Sequence, residues 1–80
     1  MNPSSAKNLQ GFVKFLNVRG LSPHTITNYT RYADDWLDWL GNREASMMAA
    51  ETYLLSRAGA GDSPATLSLR ISAMKSFYER

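Results

Sequence analysis

Cysteine is absent from this 80-residue sequence, so disulfides and cysteine-based zinc sites are excluded. There is one histidine, His24, which rules out a histidine-pair metal site within one chain. Long apolar runs are missing too. The longest stretch of large apolar residues is Tyr53-Leu54-Leu55, too short for a membrane span or a signal-peptide core. Acid is missing from the first 33 residues, which carry Lys7, Lys14, Arg19 and Arg31. What is present is ordinary globular composition, 44% hydrophobic with a net charge of +2. The length suits one small domain over 1–80, with a radius of gyration of roughly 12 Å. It leaves no room for two domains around a catalytic cleft. No metal or organic cofactor is expected, no membrane partner, and the expected setting is a reducing cytoplasm.

Charge is segregated along the chain. Asp34, Asp35, Asp38 and Glu44 crowd one short stretch with only Arg43 among them, and the remainder mixes both signs. A nearly neutral chain with such segregation can still turn a basic surface toward a polyanion.

Apolar spacing predicts four helices and no strand. Leu9, Phe12, Val13 and Leu16 fall at i, i+3, i+4 and i+7, so a first helix should run from about Ser5 to Val18, capped by Ser4 or Ser5. A second should open at Ser22-Pro23-His24-Thr25, with serine as cap and proline at the first helical position, where its missing N–H costs nothing. Its core face would hold Ile26, Tyr29, Ala33, Trp36, Leu37 and Leu40, and Gly41 would stop it. A third should run from near Ser46 to near Arg57, with Met48, Tyr53, Leu54 and Leu55 inward. The fourth should open at Ser63-Pro64-Ala65-Thr66 and bury Leu67, Ile71, Met74, Phe77 and Tyr78. The segment Gly20 to Ile26 is echoed by Gly61 to Leu67, each a glycine turn followed by Ser-Pro-x-Thr. The expected architecture is an all-α orthogonal bundle of two helical hairpins.

The asymmetry of the chemistry matters as much as the helices. The four tyrosines have no Arg/His cluster near them in sequence, as a transesterifying nucleophile would need. Asp34, Asp35 and Asp38 lack a third ligand and read as a solvated helix face. Met47 and Met48 read as core filler or helix start, and Trp39 and Tyr32 sit off the main stripe. The Ser-Pro-x-Thr starts are helix caps first, and their free N–H groups also suit a phosphate.

Two blocks carry a family resemblance. Arg19-Gly20-Leu21-Ser22-Pro23-His24-Thr25-Ile26, with Tyr29 and Trp36-Leu37-Asp38-Trp39-Leu40, forms the first. Tyr53-Leu54, Ser63-Pro64-Ala65-Thr66-Leu67 and Arg70-Ile71-Ser72-Ala73-Met74-Lys75-Ser76-Phe77-Tyr78 form the second. Together, in this order, they resemble the N-terminal core-binding, SAM-like DNA-binding domain of the tyrosine recombinase (phage integrase) family over about Leu9 to Arg80. Tyr32, Leu69 and Asp62 depart from that pattern, standing where the family usually has an acid, a polar or basic residue and an apolar residue. The resemblance implies a clamp on duplex DNA, with a separate C-terminal catalytic domain of the parent chain, absent here, on the opposite face and other protomers alongside in a synaptic complex. It implies no catalysis by this chain alone. On helical wheels the DNA-facing side chains would be His24, Thr25, Thr27, Asn28 and Arg31 from the second helix. Thr66, Ser68, Ser72, Lys75 and Ser76 would serve from the fourth. Short polar side chains let a helix approach phosphates, and the two cations neutralise charge. The alternative reading is a helical protein-interaction domain without DNA affinity, which would expose an apolar patch instead.

Overall fold

The computed structural model describes residues 3–79, with side chains from Leu9 onward. Four helices follow one another: α1 (Pro3–Val18), α2 (Pro23–Leu40), α3 (Met47–Gly59) and α4 (Pro64–Glu79). No strand occurs among the described residues. α1 begins two residues before the expected start, so Ser4 and Ser5 fall inside its first turn, and their side chains and that of Lys7 lie outside the described set. The Cα radius of gyration is 12.3 Å.

The helix boundaries follow from local chemistry. Ser22 is extended (φ −64°, ψ 153°) and its Oγ accepts from the Thr25 N–H at 3.2 Å. Ser63 does the same for Thr66 at 3.2 Å, and Ser46 for Ala49 at 3.0 Å. Each cap satisfies one of the donors that a helix start leaves open. The turns before α2 and α4 are alike. Leu21 N–H reaches back to the Leu16 carbonyl, and Asp62 N–H to that of Arg57, each closing a six-residue ring. Gly20 (φ 78°) and Gly61 (φ 105°) occupy the left-handed position of these turns. A Cβ would meet nothing within 4 Å at either glycine, so backbone conformation alone selects the residue.

α2 is the central element and packs most extensively on α4, then on α1, while α3 rests on α4 and α2 along a shorter stretch. The core divides in two. Leu9, Phe12, Leu16, Ile26, Ala33 and Phe77 join α1, α2 and α4, with Phe12 edge-on to Phe77 at 5.4 Å. Trp36, Leu40, Tyr53 and Met74 join α2, α3 and α4, with Trp36 edge-on to Tyr53 at 5.3 Å. The buried Trp36 indole donates to the Tyr78 hydroxyl at 2.9 Å, which satisfies the one polar atom it brings into the core.

Four residues expected to face inward are exposed instead. Met48 and Leu55, expected in the core, are 76% and 74% exposed, because α3 turns Tyr53 inward with Ala49, Ala50 and Leu54 beside it. Ile71 is exposed, and Tyr78 is exposed apart from its hydrogen-bonded hydroxyl. The buried stripe of α4 is Arg70, Ala73, Met74 and Phe77. It is rotated from the expected Leu67, Ile71 and Met74 because an arginine occupies an inward position where it finds partners. The acidic stretch is also not simply solvated. Asp38 is exposed, but Asp35 contacts the interior and Asp34 Oδ1 is buried.

Candidate nucleic-acid interface

The start of α2 builds one polar surface. Ser22 Oγ, already accepting from the Thr25 N–H, donates to Thr25 Oγ1 at 2.9 Å. That leaves the threonine proton to be offered outward. His24 and Asn28, one turn apart, lie 3.2 Å from each other through Nε2 and Nδ2. Thr27 and Arg31, also one turn apart, are exposed. They border an open groove of about 480 Å³ between α1 and α2, floored by Leu9, Val13 and Ile26. Arg31 has no carboxylate partner among the described residues; its guanidinium sits 5.7 Å from the Tyr32 ring centre. The acids Asp35 and Asp38 follow on the same side of α2, one to two turns later, so positive potential is concentrated at the helix start.

α4 repeats the cap but offers less beyond it. Ser63 Oγ donates to Thr66 Oγ1 at 3.1 Å, as its counterpart does on α2. Ser68 and Lys75 are exposed on one face with Ser72, which is half-buried. Lys75 has no carboxylate partner among the described residues. Ser76, expected on this face, is only 8% exposed, because position 76 falls on the flank that α4 turns into the bundle. Its hydroxyl is not presented to a polyanion.

A cluster of charges that sequence reasoning missed lies between α2, α3 and α4. Arg70 donates to Asp62 at 2.7 Å, to Asp35 at 2.9 Å and to the Tyr53 hydroxyl at 2.8 Å. Tyr53 in turn donates to Asp35. Arg57 reaches Asp62 at 3.2 Å across the glycine turn. The ring of Tyr32 covers the Arg70 guanidinium at 4.8 Å. Hydrogen bonds from Arg57 and then Arg70 hold the Asp62 carboxyl below the usual carboxylate range, against the opposing effect of burial. Burial raises the Tyr53 phenol above its ordinary value, and the hydrogen bond and charge of Asp35 add to that. Burial works against the charge on Arg70, but the hydrogen bond to Asp62 and the charges of Tyr53 and Asp62 together outweigh it and raise its pKa. The signal was present in sequence. Asp62 takes the turn position that Leu21 holds in the first copy, eight residues before an arginine on the face that α4 buries. Two of the chain's arginines are thereby committed to structure and withdrawn from any anion surface.

The family model for the phage integrase N-terminal SAM-like domain matches residues 9–80. The chain belongs to that family. Its match spans both glycine turns, both Ser-Pro-x-Thr starts and the charge cluster, and the four-helix fold is the all-α SAM-like bundle the family name describes. A curated relative, tyrosine recombinase XerA of Thermococcus kodakarensis, is 31% identical over 70 residues, covering 88% of this chain. The chain spans about a quarter (24%) of that recombinase's length. No solved structure matches the chain. Among the described residues of this integrase-family domain no helix is long and apolar enough to cross a membrane.

Proposed function

We propose that this domain binds duplex DNA and positions the separate catalytic domain of a tyrosine recombinase on its recombination sites, with other protomers alongside. The supporting observation is the pairing of two capped helix starts with two exposed cations, Arg31 and Lys75, that no carboxylate neutralises among the described residues. Free N–H groups at a helix start hold one phosphate, and a cation two or three turns along the same helix suits another. Thr25, Thr27, His24, Ser68, Ser72 and Thr66 would add short-range donors. Asn28 would read a base edge only after leaving His24.

The chain by itself supplies no strand chemistry in this reading. Tyr53 is the one tyrosine whose hydroxyl is hydrogen-bonded to an arginine among the described residues. Its hydroxyl is buried between Asp35 and Arg70, and its raised pKa makes it a poor nucleophile at neutral pH. Tyr78 is engaged by Trp36.

A salt titration of the 80-residue chain on duplex DNA tests the proposal. About four phosphate contacts give a log K against log salt slope of roughly −4, with little sequence preference. Arg31→Ala and Lys75→Ala should each make that slope shallower by roughly one unit. Arg43→Ala should leave it unchanged, since that guanidinium is held over Trp39 at 4.7 Å and donates to the Trp39 carbonyl at 2.8 Å. Salt-independent binding, or an effect of Arg43 alone, overturns the docking face.

A further inference from the structure

We propose that Leu69 is a specificity-determining residue of this domain, and that it recognises the C5 methyl group of thymine in the major groove of duplex DNA. The inference deepens the DNA-binding reading above and rests on it. α4 leaves two aliphatic residues exposed to similar extents, Leu69 at 42% and Ile71 at 38%. Their surroundings on the helix differ. Ile71 has Leu67 one turn before it, and Met74 and Tyr78 one and two turns after it, so it borders the apolar side of α4. Leu69 has Ala65 and Thr66 one turn before it and Ser72 and Ala73 one turn after it, so no large apolar side chain of its own helix shelters it. Ala65 and Ser68 are exposed beside it, Ser72 is half-buried, and the exposed Lys75 follows within two turns.

A leucine set among short polar side chains and a cation narrows the ligand. A single exposed leucine is ordinary on a surface that faces water. On a surface that faces a polyanion it strips water from polar groups and returns no hydrogen bond. Phosphate oxygens and the hydrogen-bonding atoms of the bases therefore gain nothing from it. The thymine methyl is the apolar group that base edges present in the major groove. A helix about 10 to 12 Å across enters that groove, which is about 12 Å wide. Leu69 lies about 4.5 Å along the helix axis from Ser72 and about 9 Å from Lys75. The leucine can rest on a methyl at the groove floor while the lysine reaches a phosphate at its edge.

Uracil keeps every hydrogen-bonding group of thymine and lacks only the methyl, so paired titrations isolate the contact. The 80-residue chain is titrated over a range of salt with an alternating dA–dT duplex and with the same duplex carrying uracil for thymine. Binding to the uracil duplex should be about threefold to fourfold weaker, the worth of one buried methyl. The salt slope should not change, since no phosphate contact is lost. Replacing cytosine by 5-methylcytosine in an alternating dG–dC duplex should strengthen binding by a similar factor, which separates the methyl from the shape of A·T sequences. Leu69→Ser, checked by circular dichroism, should bind both members of each pair alike, and Ile71→Ser should keep the preference. Equal affinity of the unaltered chain for thymine and uracil duplexes overturns the proposal. So does a methylcytosine duplex bound no better than its parent, a preference that survives Leu69→Ser, or one that Ile71→Ser also removes. In each of those cases salt-dependent binding persists and duplex recognition stands. Failure to bind any of the duplexes at low salt is the separate result that overturns duplex recognition, and this proposal with it.

Discussion

Helices α2 and α4 begin with the same device and continue differently. Both follow a glycine in the left-handed region, both are capped by the serine of Ser-Pro-x-Thr, and both caps also engage the threonine hydroxyl. The residue between glycine and serine differs. Leu21 packs against the apolar cluster of Leu9, Phe12, Leu16, Ile26, Ala33 and Phe77. Asp62 enters an ionic cluster with Arg57 and Arg70. One end of the bundle is dry, and the other is held by charge beside a patch of aromatics. The local cap tolerates either, because its hydrogen bonds are made by Ser and Thr alone. The neighbour decides which kind of core the turn joins, and with it which cations remain free at the surface.

The largest effects should come from the aromatic centre of each end. Phe12 and Trp36 are fully buried. Replacing either by alanine should cost about 3 to 5 kcal/mol, through lost burial and the cavity left behind. In a domain of this size that is most of the total stability. Urea unfolding monitored by circular dichroism measures it. A Trp36→Ala loss much smaller than that of Phe12→Ala would mean that charge, not packing, holds the α3 end.

The ionic end can be broken next. Arg70→Met leaves Asp35 and Asp62 without their shared guanidinium. The expected loss is about 2 to 4 kcal/mol, below the usual range for a fully buried pair because Asp35 is 46% exposed. The double variant Asp62→Leu with Arg70→Met makes this turn resemble that of Leu21 and should recover much of the loss, since removing both partners strands no charge between them. The two single losses should therefore not add in a double-mutant cycle. The pH dependence follows in sign. Asp62 has a lowered carboxyl pKa in the folded chain. Its stabilisation is present above the ordinary carboxylate range and is lost as pH falls through the lowered value. Acid unfolding should be less steep in the double variant. Additive losses, or an unchanged acid profile, would show that the cluster does not act as a unit.

Those two ends also show what was legible in the sequence. Periodicity reports where a face is apolar, so α1 and α2 were readable from Leu9, Phe12 and Leu16 and from Ile26, Ala33, Trp36 and Leu40. On α3 and α4 the inward stripe contains Tyr53 and Arg70, which enter the core only because their polar atoms meet across 17 residues. Apolar counting places Tyr53 inward correctly but adds Met48 and Leu55 beside it, and on α4 it takes Ile71 where Arg70 goes. The polar side of α2 was readable because solvent imposes no pairing on His24, Thr27 and Arg31. Ser76 was not, since serine fits either environment and only the rotation of α4 about Arg70 decides which.

The shared caps should give equal effects at the two ends. Ser22→Ala and Ser63→Ala each remove the acceptor of one backbone N–H and the partner of a threonine hydroxyl. Each should cost about 1 kcal/mol. A clear inequality in thermal unfolding would mean that Asp62 stiffens its turn beyond what the cap supplies. Equality would confine the difference between the ends to the core.

The smallest effect concerns Asp34, a carboxylate of the acidic stretch that does not join the ionic end. Asp34 Oδ1 is buried with no hydrogen-bond partner among the described residues, at the edge of the groove between α1 and α2. Burial raises its carboxyl pKa, and the nearby charges of Asp38 and Asp35 raise it further. The sign is opposite to that of Asp62. Ionised Asp34 opposes folding at pH values above its unfolded pKa, and protonation removes the opposition. Asp34→Asn should therefore stabilise the domain at neutral pH, by about 0.5 to 1 kcal/mol, since one polar group is exchanged for another of the same shape. The gain should shrink as pH falls through the raised value and vanish below the ordinary carboxyl range, where the aspartate is protonated in both states. Thermal unfolding of both proteins across that range measures it. A stabilisation independent of pH would assign the effect to the amide's new hydrogen bonds and not to the removed charge. A loss of stability would show that the groove draws on this carboxylate after all.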